Sequence, residues 1–282
     1  MRRYGIPLGV IALVHLLGLW GIREWRVLAF FPVALLALAL LRTASGQDGN
    51  WRALASSENA PYAAWTAATL VVFSSALNPP FDVAVWAASA VLAAVFWIAG
   101  LPYIWGRRTR IDLAQIAWFT PALVAALYAP QEVAYALRNS LGWAGFCGMA
   151  GVLLLSTWRL LRAHDPIGLR SRWYGAGGSA VMGLWLVDAL PRDIAMAIIL
   201  ALCVIACLWI ASIFHRHAAK TQGAWSSLFS ICSMAALALR LHIGPIAATL
   251  TVAALVVALW DAWQTAVETQ ASRSAARIPS ES

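Results

Sequence analysis

The stretch IAMAIILALCVIACLWIASIF, from Ile194 to Phe214, decides the fold. It runs for 21 residues without a charged side chain, and about 20 apolar residues are needed for a helix to cross a bilayer. The whole chain has the same character, since 62% of its residues are hydrophobic and 11% are charged. A soluble protein of this length could not hide so much apolar surface. The sequence therefore predicts an all-α integral membrane protein.

Nine further apolar segments flank this stretch, so we predict ten transmembrane helices. The ten segments cover residues 5–22, 27–41, 60–77, 83–104, 113–128, 141–161, 174–189, 193–214, 225–241 and 244–263. Segments two and five are nearer 15 residues than 20, so they are either extended by flanking residues or partly buried in the protein.

The basic residues fall in alternate gaps between these segments. Fifteen of the twenty Lys and Arg residues lie in or beside the two termini and the even-numbered connections, and five lie in or beside the odd-numbered ones. This is the positive-inside asymmetry of a multi-pass protein, and it predicts cytoplasmic termini in the plasma membrane, the inner membrane of a bacterium. The formal charge of +8 then reflects topology and anionic lipid, and no nucleic-acid partner is predicted.

The predicted organisation is one membrane domain over residues 1–264 and a disordered cytoplasmic tail over residues 265–282, which is rich in Ser, Ala and Arg. Within the membrane domain, the odd-numbered segments carry more Ser, Thr and Gly, whereas the even-numbered ones are larger and more apolar. We therefore expect five helical hairpins, each with an inner odd helix and an outer even helix facing lipid. Many of the sixteen Trp residues lie near segment ends, where the indole anchors a helix at the membrane interface.

Two of the inner segments carry a stripe of hydroxyl and aromatic side chains on one helical face. The members are Ser226, Phe229, Ser230 and Ser233 in segment nine, and Thr66, Thr69 and Phe73 in segment three. A hydroxyl in lipid is costly without a partner, so both stripes are expected to face inward. Periodicity alone leaves two interpretations open, a pore lining and a dry bundle in which Ser and Thr bond to their own helix.

Several function classes lack support in the sequence. No carboxylate lies at the centre of a predicted segment, which argues against a cation-coupled carrier, and no motif of a hydrolase, metalloprotease or nucleotide-binding enzyme occurs. Cys203 and Cys207 are four residues apart but lack nearby His or acidic co-ligands. We therefore predict no enzyme activity, no metal and no cofactor. His15, alone at mid-segment, is interpreted as structural.

Three short motifs, in order along the chain, carry a resemblance to a known family. YGIPLGVIAL from Tyr4 resembles the first helix of the tellurite-resistance/dicarboxylate transporter family, whose plant relatives are the slow anion channels. WFTPAL from Trp118 resembles the proline motif of that family's fifth helix. WSSLFSICSMA from Trp225 is similar to its ninth helix, in which a Trp is followed four residues later by a pore Phe.

This resemblance implies a trimer whose subunits each have five helical hairpins in quasi-fivefold array around a central pore. It implies that small inorganic or organic anions pass through the pore and that Phe229 occludes it. Ser226, Ser230 and Ser233 would line the pore near this Phe, with Thr66, Thr69 and Phe73 on segment three. The residues predicted to shape the inner helices are Gly5, Pro7, Gly9, Pro121, Gly177 and Gly178.

The sequence also departs from the family pattern. Residues 71–75 of segment three are VVFSS, where the family has a mid-helix proline, and segment seven has Gly177 and Gly178 in place of one. Two alternatives stay open: a ten-span drug/metabolite-type carrier built from two five-helix halves, and a non-transporting membrane partner protein with a packed core.

Overall fold

The computed structural model describes residues 5–44, 60–106, 113–163, 169–215 and 224–275. The described chain is all-helical. Its helices are α1 (Gly5–Leu19), α2 (Trp25–Leu28), α3 (Phe30–Ala44), α4 (Ala60–Ser74), α5 (Phe81–Gly106), a 3-10 helix (Leu113–Trp118), α6 (Thr120–Leu127), α7 (Tyr135–Ala163), α8 (Leu169–Ala189), α9 (Arg192–His215), α10 (Ala224–Arg240) and α11 (Gly244–Ala275).

Each of the ten apolar segments overlaps a helix, and two segments are divided. Segment two becomes the short α2 followed by α3, and segment five becomes the 3-10 helix followed by α6. The last helix runs further than expected, because α11 continues to Ala275 through eleven residues that were predicted to be disordered tail. No Gly or Pro interrupts this part of the sequence before Pro279, so nothing in it breaks the helix.

Among the described residues, four helices are long and apolar enough to cross a membrane, which indicates membrane association. These are α5, α7, α9 and α11, and at most a third of each apolar window is buried inside the molecule. Their outward faces carry large apolar side chains such as Leu200, which is 68% exposed, and Val256, which is 59% exposed. Such an apolar surface is unfavourable in water and suits a lipid environment.

A second group of helices is buried by the first. We call α1, α4, the 3-10 helix with α6, α8 and α10 the inner helices, because no large apolar side chain on their described residues is exposed except Leu19 at the end of α1. They contact one another in a closed cycle: α1 with α4, α4 with the 3-10 helix and α6, these with α8, α8 with α10, and α10 with α1. The expectation that odd-numbered segments lie inside and even-numbered ones outside agrees with this burial.

The outer helices pack mainly on the inner helix that precedes them in the chain. Thus α3 packs on α1, α5 on α4, α7 on α6, α9 on α8 and α11 on α10. Several of them also reach the next inner helix, as α7 reaches α8. Glycines allow the closest approaches: a Cβ on Gly145 of α7 would lie 2.5 Å from the backbone nitrogen of Leu123 in α6.

Candidate functional site

One cavity lies where all five inner helices meet. Its volume is about 20 Å³, which leaves room for roughly one water molecule because a water needs about 10–15 Å³. A hydrated ion cannot fit there. The residues that line this central cavity are Leu8 of α1, Trp65 of α4, Ile116, Ala117 and Thr120 of the 3-10 helix and α6, Tyr174, Gly177 and Gly178 of α8, and Phe229 and Ser230 of α10.

The central cavity lies close to the N-terminal ends of the inner helices. Leu8 is the fourth residue of α1, Thr120 is the first of α6, and Trp65, Tyr174 and Phe229 are each the sixth residue of their helix. The first backbone N–H groups of a helix have no partner within it, and the helix dipole is positive at this end. Most of the lining residues lie beyond the first turn of their helices, so any preference for an anion at the cavity comes from the five aligned helix dipoles and not from free N–H groups.

Phe229, the predicted gate, is one of the lining residues. Its side chain is partly buried and packs against the main hydrophobic core. The next residue, Ser230, also lines the cavity and is fully buried. Of the four α10 residues predicted to gate or line a pore, Phe229 and Ser230 line this cavity.

A pair of aromatic rings that the sequence did not single out crosses the same cavity. The rings of Trp65 and Tyr174 lie 5.4 Å apart between centroids, at an interplanar angle of 39°. Aromatic pairs at this separation attract each other beyond simple burial. Because α4 and α8 are not neighbours in the cycle of inner helices, we call this pair the aromatic bridge.

The hydroxyl groups near the central cavity already donate to carbonyl oxygens. Ser230 Oγ donates to the Trp173 carbonyl of α8 at 2.8 Å, which links two inner helices. Thr120 Oγ1 donates to the Ile116 carbonyl at 3.0 Å, and Ser233 Oγ donates to the Phe229 carbonyl at 2.9 Å. Ser233 therefore donates a hydrogen bond to its own helix, which is one of the two interpretations that periodicity left open.

Four other residues were predicted to line the pore. Three of them do not line the central cavity, and the side chain of the fourth lies outside the described residues. Thr69 is buried and its Oγ1 donates to the Trp65 carbonyl at 2.8 Å, while Thr66 is partly exposed elsewhere on α4. Phe73 packs edge-to-face on Phe30 of α3, with ring centroids 5.1 Å apart. Phe73 thus contacts an outer helix, because the position on α4 that reaches the centre is Trp65. Ser226 belongs to α10, but its side chain lies outside the described residues.

The residues predicted to shape the inner helices do so in different ways. Gly177 and Gly178 line the cavity in an unbroken α8, and a Cβ on Gly177 would lie 2.5 Å from Ser230 Oγ. They therefore permit close packing of α8 on its neighbours. Pro121 was expected inside a helix, but it is the second residue of α6, after the 3-10 helix, so it starts a helix, a position where its missing N–H costs nothing.

The first helix begins at Gly5, and Pro7 and Gly9 are buried in its first two turns. Pro7 is the third residue of α1, where no intrahelical bond to its nitrogen is needed. The side chains of Leu8 and its neighbours can therefore approach the centre without a kink in α1.

At the opposite end of the inner helices, charged residues tie three helices together. Asp188 at the end of α8 pairs with Arg138 of α7 at 3.8 Å and with Arg240 of α10 at 3.6 Å. Arg138 also donates its Nε–H to the Ala126 carbonyl of α6 at 3.0 Å. We call Arg138, Asp188 and Arg240 the outer cluster. Its two arginines and one aspartate give it a net positive charge.

His15 lies between this end and the core. Its ring packs edge-to-face on Tyr128 and Trp25, with centroids 4.9 and 5.5 Å away, and its buried Nδ1 has no hydrogen-bond partner. The residue thus serves packing, although the hydrogen bond expected of a structural histidine is missing at Nδ1. Among the described residues, no three His, Cys, Asp or Glu side chains come together as metal ligands would.

The aromatic bridge shows what sequence reasoning missed. Trp65 and Tyr174 occupy the same place in their helices as Phe229, the sixth residue, but this register depends on the helix starts seen in the structure, and Tyr174 is the first residue of segment seven as predicted. Leu8, Ile116, Ala117 and Thr120 carried no such signal, because small and apolar residues are common throughout the chain.

Comparison with known proteins gives no relative: no family model, no curated protein and no solved structure matches this chain.

Proposed function

We propose that the chain is a ten-span membrane protein that moves small anions through a path at the centre of its five inner helices, and that Phe229 occludes this path. The five hairpins would then form the quasi-fivefold array of the tellurite-resistance/dicarboxylate transporter family. The observation that carries the proposal is the position of Phe229, which was selected from sequence and lines a cavity to which every inner helix contributes.

The lengths of the helices are compatible with ten spans, although four helices in the described part of the chain are long enough to cross a membrane by themselves. Outer α5 has 26 residues, or about 39 Å at 1.5 Å per residue, whereas α6 has eight residues, or roughly 12 Å. A helix in contact with lipid must match the hydrocarbon thickness of about 30 Å. An inner helix that is shielded by outer helices has no such requirement, and its ends can border water-filled vestibules.

Selectivity for anions follows from charges that surround the path. No side chain lining the central cavity is ionisable near neutral pH, and the five inner helices have their positive ends on the same side of the cavity, where they favour negative charge. The outer cluster adds a net positive charge at the other end. In the proposed topology the termini are cytoplasmic and the protein resides in the bacterial inner membrane, as a trimer by family resemblance.

The test is anion current through purified protein in planar bilayers, with wild type beside Phe229→Ala and Phe73→Ala. We expect a small wild-type current that rises strongly in Phe229→Ala, because removal of the ring widens and wets an apolar neck. Reversal potentials in a salt gradient should show that anions are favoured over cations. Phe73→Ala is the matched control, since it removes the same ring from α4 at the contact with Phe30, and its current should stay at the wild-type level.

A second candidate, a non-transporting membrane partner protein, is favoured by one observation. The central cavity has room for about one water, and nearby hydroxyls bond to backbone carbonyls, as in a packed core. This candidate predicts no current in wild type, in Phe229→Ala or in Phe73→Ala when all three are folded and inserted. Equal silence of the folded variants would therefore reject an anion-conducting path, and a radiolabelled exchange assay would then separate a carrier from a non-transporting partner protein.

A further inference from the structure

We propose that the aromatic bridge of Trp65 and Tyr174 is a second closure of the path, separate from Phe229, and that it sets the size of anion that can pass. This inference rests on the proposed function. It concerns two side chains on α4 and α8, whereas the predicted gate belongs to α10.

The position of the bridge in the cycle of inner helices is the first argument. On one side, the 3-10 helix and α6 lie between α4 and α8, and on the other side α1 and α10 lie between them. A contact between α4 and α8 therefore crosses the centre instead of running along the wall. With centroids 5.4 Å apart, the two rings are in contact, so no ion can pass between them while the bridge holds.

The surroundings of the bridge are the second argument. Leu8, Ile116 and Ala117 complete the apolar lining of the same cavity, and narrow apolar necks exclude water as well as ions. Truncation of Phe229 removes a ring that α10 supplies, but it leaves Trp65 and Tyr174 in place. The Phe229→Ala path would thus be wider on the α10 side and still crossed by the bridge.

A backbone link suggests how the two closures are related. Trp173 precedes Tyr174, and its carbonyl accepts the hydrogen bond of Ser230, which follows Phe229. The same two helices touch at Gly177, where a Cβ would be 3.0 Å from Ser230 Cα. The start of α8 and the gate region of α10 are therefore held together, so a displacement that moves Phe229 also moves Tyr174.

The experiment measures bilayer currents of Phe229→Ala, of Tyr174→Leu and of the double variant that combines them. Leu is chosen because it keeps apolar volume in the core while removing the ring. The double variant should conduct about tenfold more than Phe229→Ala, which corresponds to about 1.4 kcal/mol of barrier. It should also pass gluconate relative to chloride better than Phe229→Ala does. Phe73→Leu combined with Phe229→Ala is the matched control: it removes a ring of α4 that contacts Phe30 and does not line the cavity, so its current and size limit should equal those of Phe229→Ala.

The outcomes separate the two proposals. If Phe229→Ala conducts and the double variant has the same current and the same gluconate permeability, the bridge is not a closure and the proposed function stands. If Phe229→Ala is silent but the double variant conducts, the bridge is the stronger of the two closures. If all variants are folded and silent, the proposed function fails, and the second closure fails with it. Trp65→Leu with Phe229→Ala repeats the test from the other ring if Tyr174→Leu does not fold.

Discussion

At the residue scale, the side chains around the central cavity hold helices together as well as lining the cavity. Ser230 is the clearest case, because its hydroxyl donates its one proton to the Trp173 carbonyl and therefore cannot donate a hydrogen bond to an anion at the same time. If the proposed function holds, a passing anion would be stabilised by helix dipoles before any hydroxyl is released. Opening would then require the contact between α8 and α10 to change.

This bond gives a prediction for stability. Ser230→Ala removes a hydrogen bond between two helices and leaves the Trp173 carbonyl without this donor, so we expect a loss of about 1 kcal/mol in the free energy of unfolding. Ser233→Ala removes a bond within one helix, and we expect a change below about 0.5 kcal/mol. Denaturation in detergent, followed by circular dichroism, measures both. Equal losses of unfolding free energy in the two variants would show that the hydrogen bond between α8 and α10 stabilises the protein no more than a bond within one helix.

Gly177 gives a second prediction at the same scale. A Cβ there would lie 2.5 Å from Ser230 Oγ and 3.0 Å from its Cα, so Gly177→Ala must push α8 and α10 apart, at a cost of roughly 1–3 kcal/mol. Gly151→Ala is the matched control, because a Cβ on Gly151 of α7 would meet nothing within 4 Å. That substitution should stabilise the helix by up to about 1 kcal/mol. Thermal melts in detergent should move in opposite directions; a shift of the same sign in both would contradict the close approach.

The sequence predicted the α10 side of the site better than the α4 side, for a physical reason. On α10 the hydroxyls of Ser230 and Ser233 flank Phe229 and mark the buried face. On α4 the same logic favoured Thr66, Thr69 and Phe73, yet the helix directs Trp65 to the centre and Phe73 to Phe30. A threonine can satisfy its hydroxyl on its own helix, as Thr69 does, so polarity alone does not tell which face of a helix reaches a cavity.

At the element scale, the division of labour between inner and outer helices explains which features the sequence revealed. Four of the outer helices, α5, α7, α9 and α11, are long and apolar, as contact with lipid requires, and this made them evident from sequence, whereas outer α3 has 15 residues. The inner helices pack against protein and do not have to match the thickness of the bilayer, so they can be short or divided. The break of segment five at Pro121 could not be located in advance, because a proline inside a long apolar run is compatible with either a kink or a helix start.

The lipid-facing side of α9 can be tested with its own cysteines. Cys203 and Cys207 are exposed at the molecular surface in the middle of a 24-residue apolar helix. In a bilayer this surface contacts hydrocarbon, so neither thiol should react with a charged, water-soluble maleimide in protein reconstituted into nanodiscs. Asn78→Cys is the control, since Asn78 is exposed in the connection between α4 and α5 and should react fully. Mass spectrometry of the labelled peptides reads the result; labelling of Cys203 and Cys207 at the rate of the control would place α9 in water.

At the scale of the whole molecule, hydropathy predicted more than motif matching could. Each apolar segment overlaps a helix, although two segments are divided, and the composition of the segments anticipated which helices are buried. The closed cycle of inner helices, in contrast, depends on contacts between segments far apart in sequence, such as α1 with α10. No single segment contains that information, so the cycle entered the sequence-based prediction only through a family resemblance.

The closed cycle makes a prediction about topology that can be tested in intact cells. Since the central cavity lies near the N-terminal end of all five inner helices, these helices run in the same direction, and their C-terminal ends share the opposite side of the molecule. The ion pairs of Asp188 with Arg138 and Arg240 lie on that side. If the charge asymmetry fixes the termini in the cytoplasm, then the connections at Asn78, Glu132 and His242, all exposed, face the periplasm.

In a variant whose four native cysteines are replaced by alanine, single cysteines at those three positions should react with a membrane-impermeant maleimide added to cells with a permeabilised outer membrane. A cysteine at Ser272, near the end of α11, should react only after the inner membrane is opened. The three connections must behave alike, because all of them follow inner helices of one direction. A mixture of accessible and protected sites would contradict the parallel arrangement of the inner helices and, with it, the proposed central path. If all three sites were protected and Ser272→Cys were accessible, the protein would have the opposite orientation in the membrane, and the parallel arrangement of the inner helices would still hold.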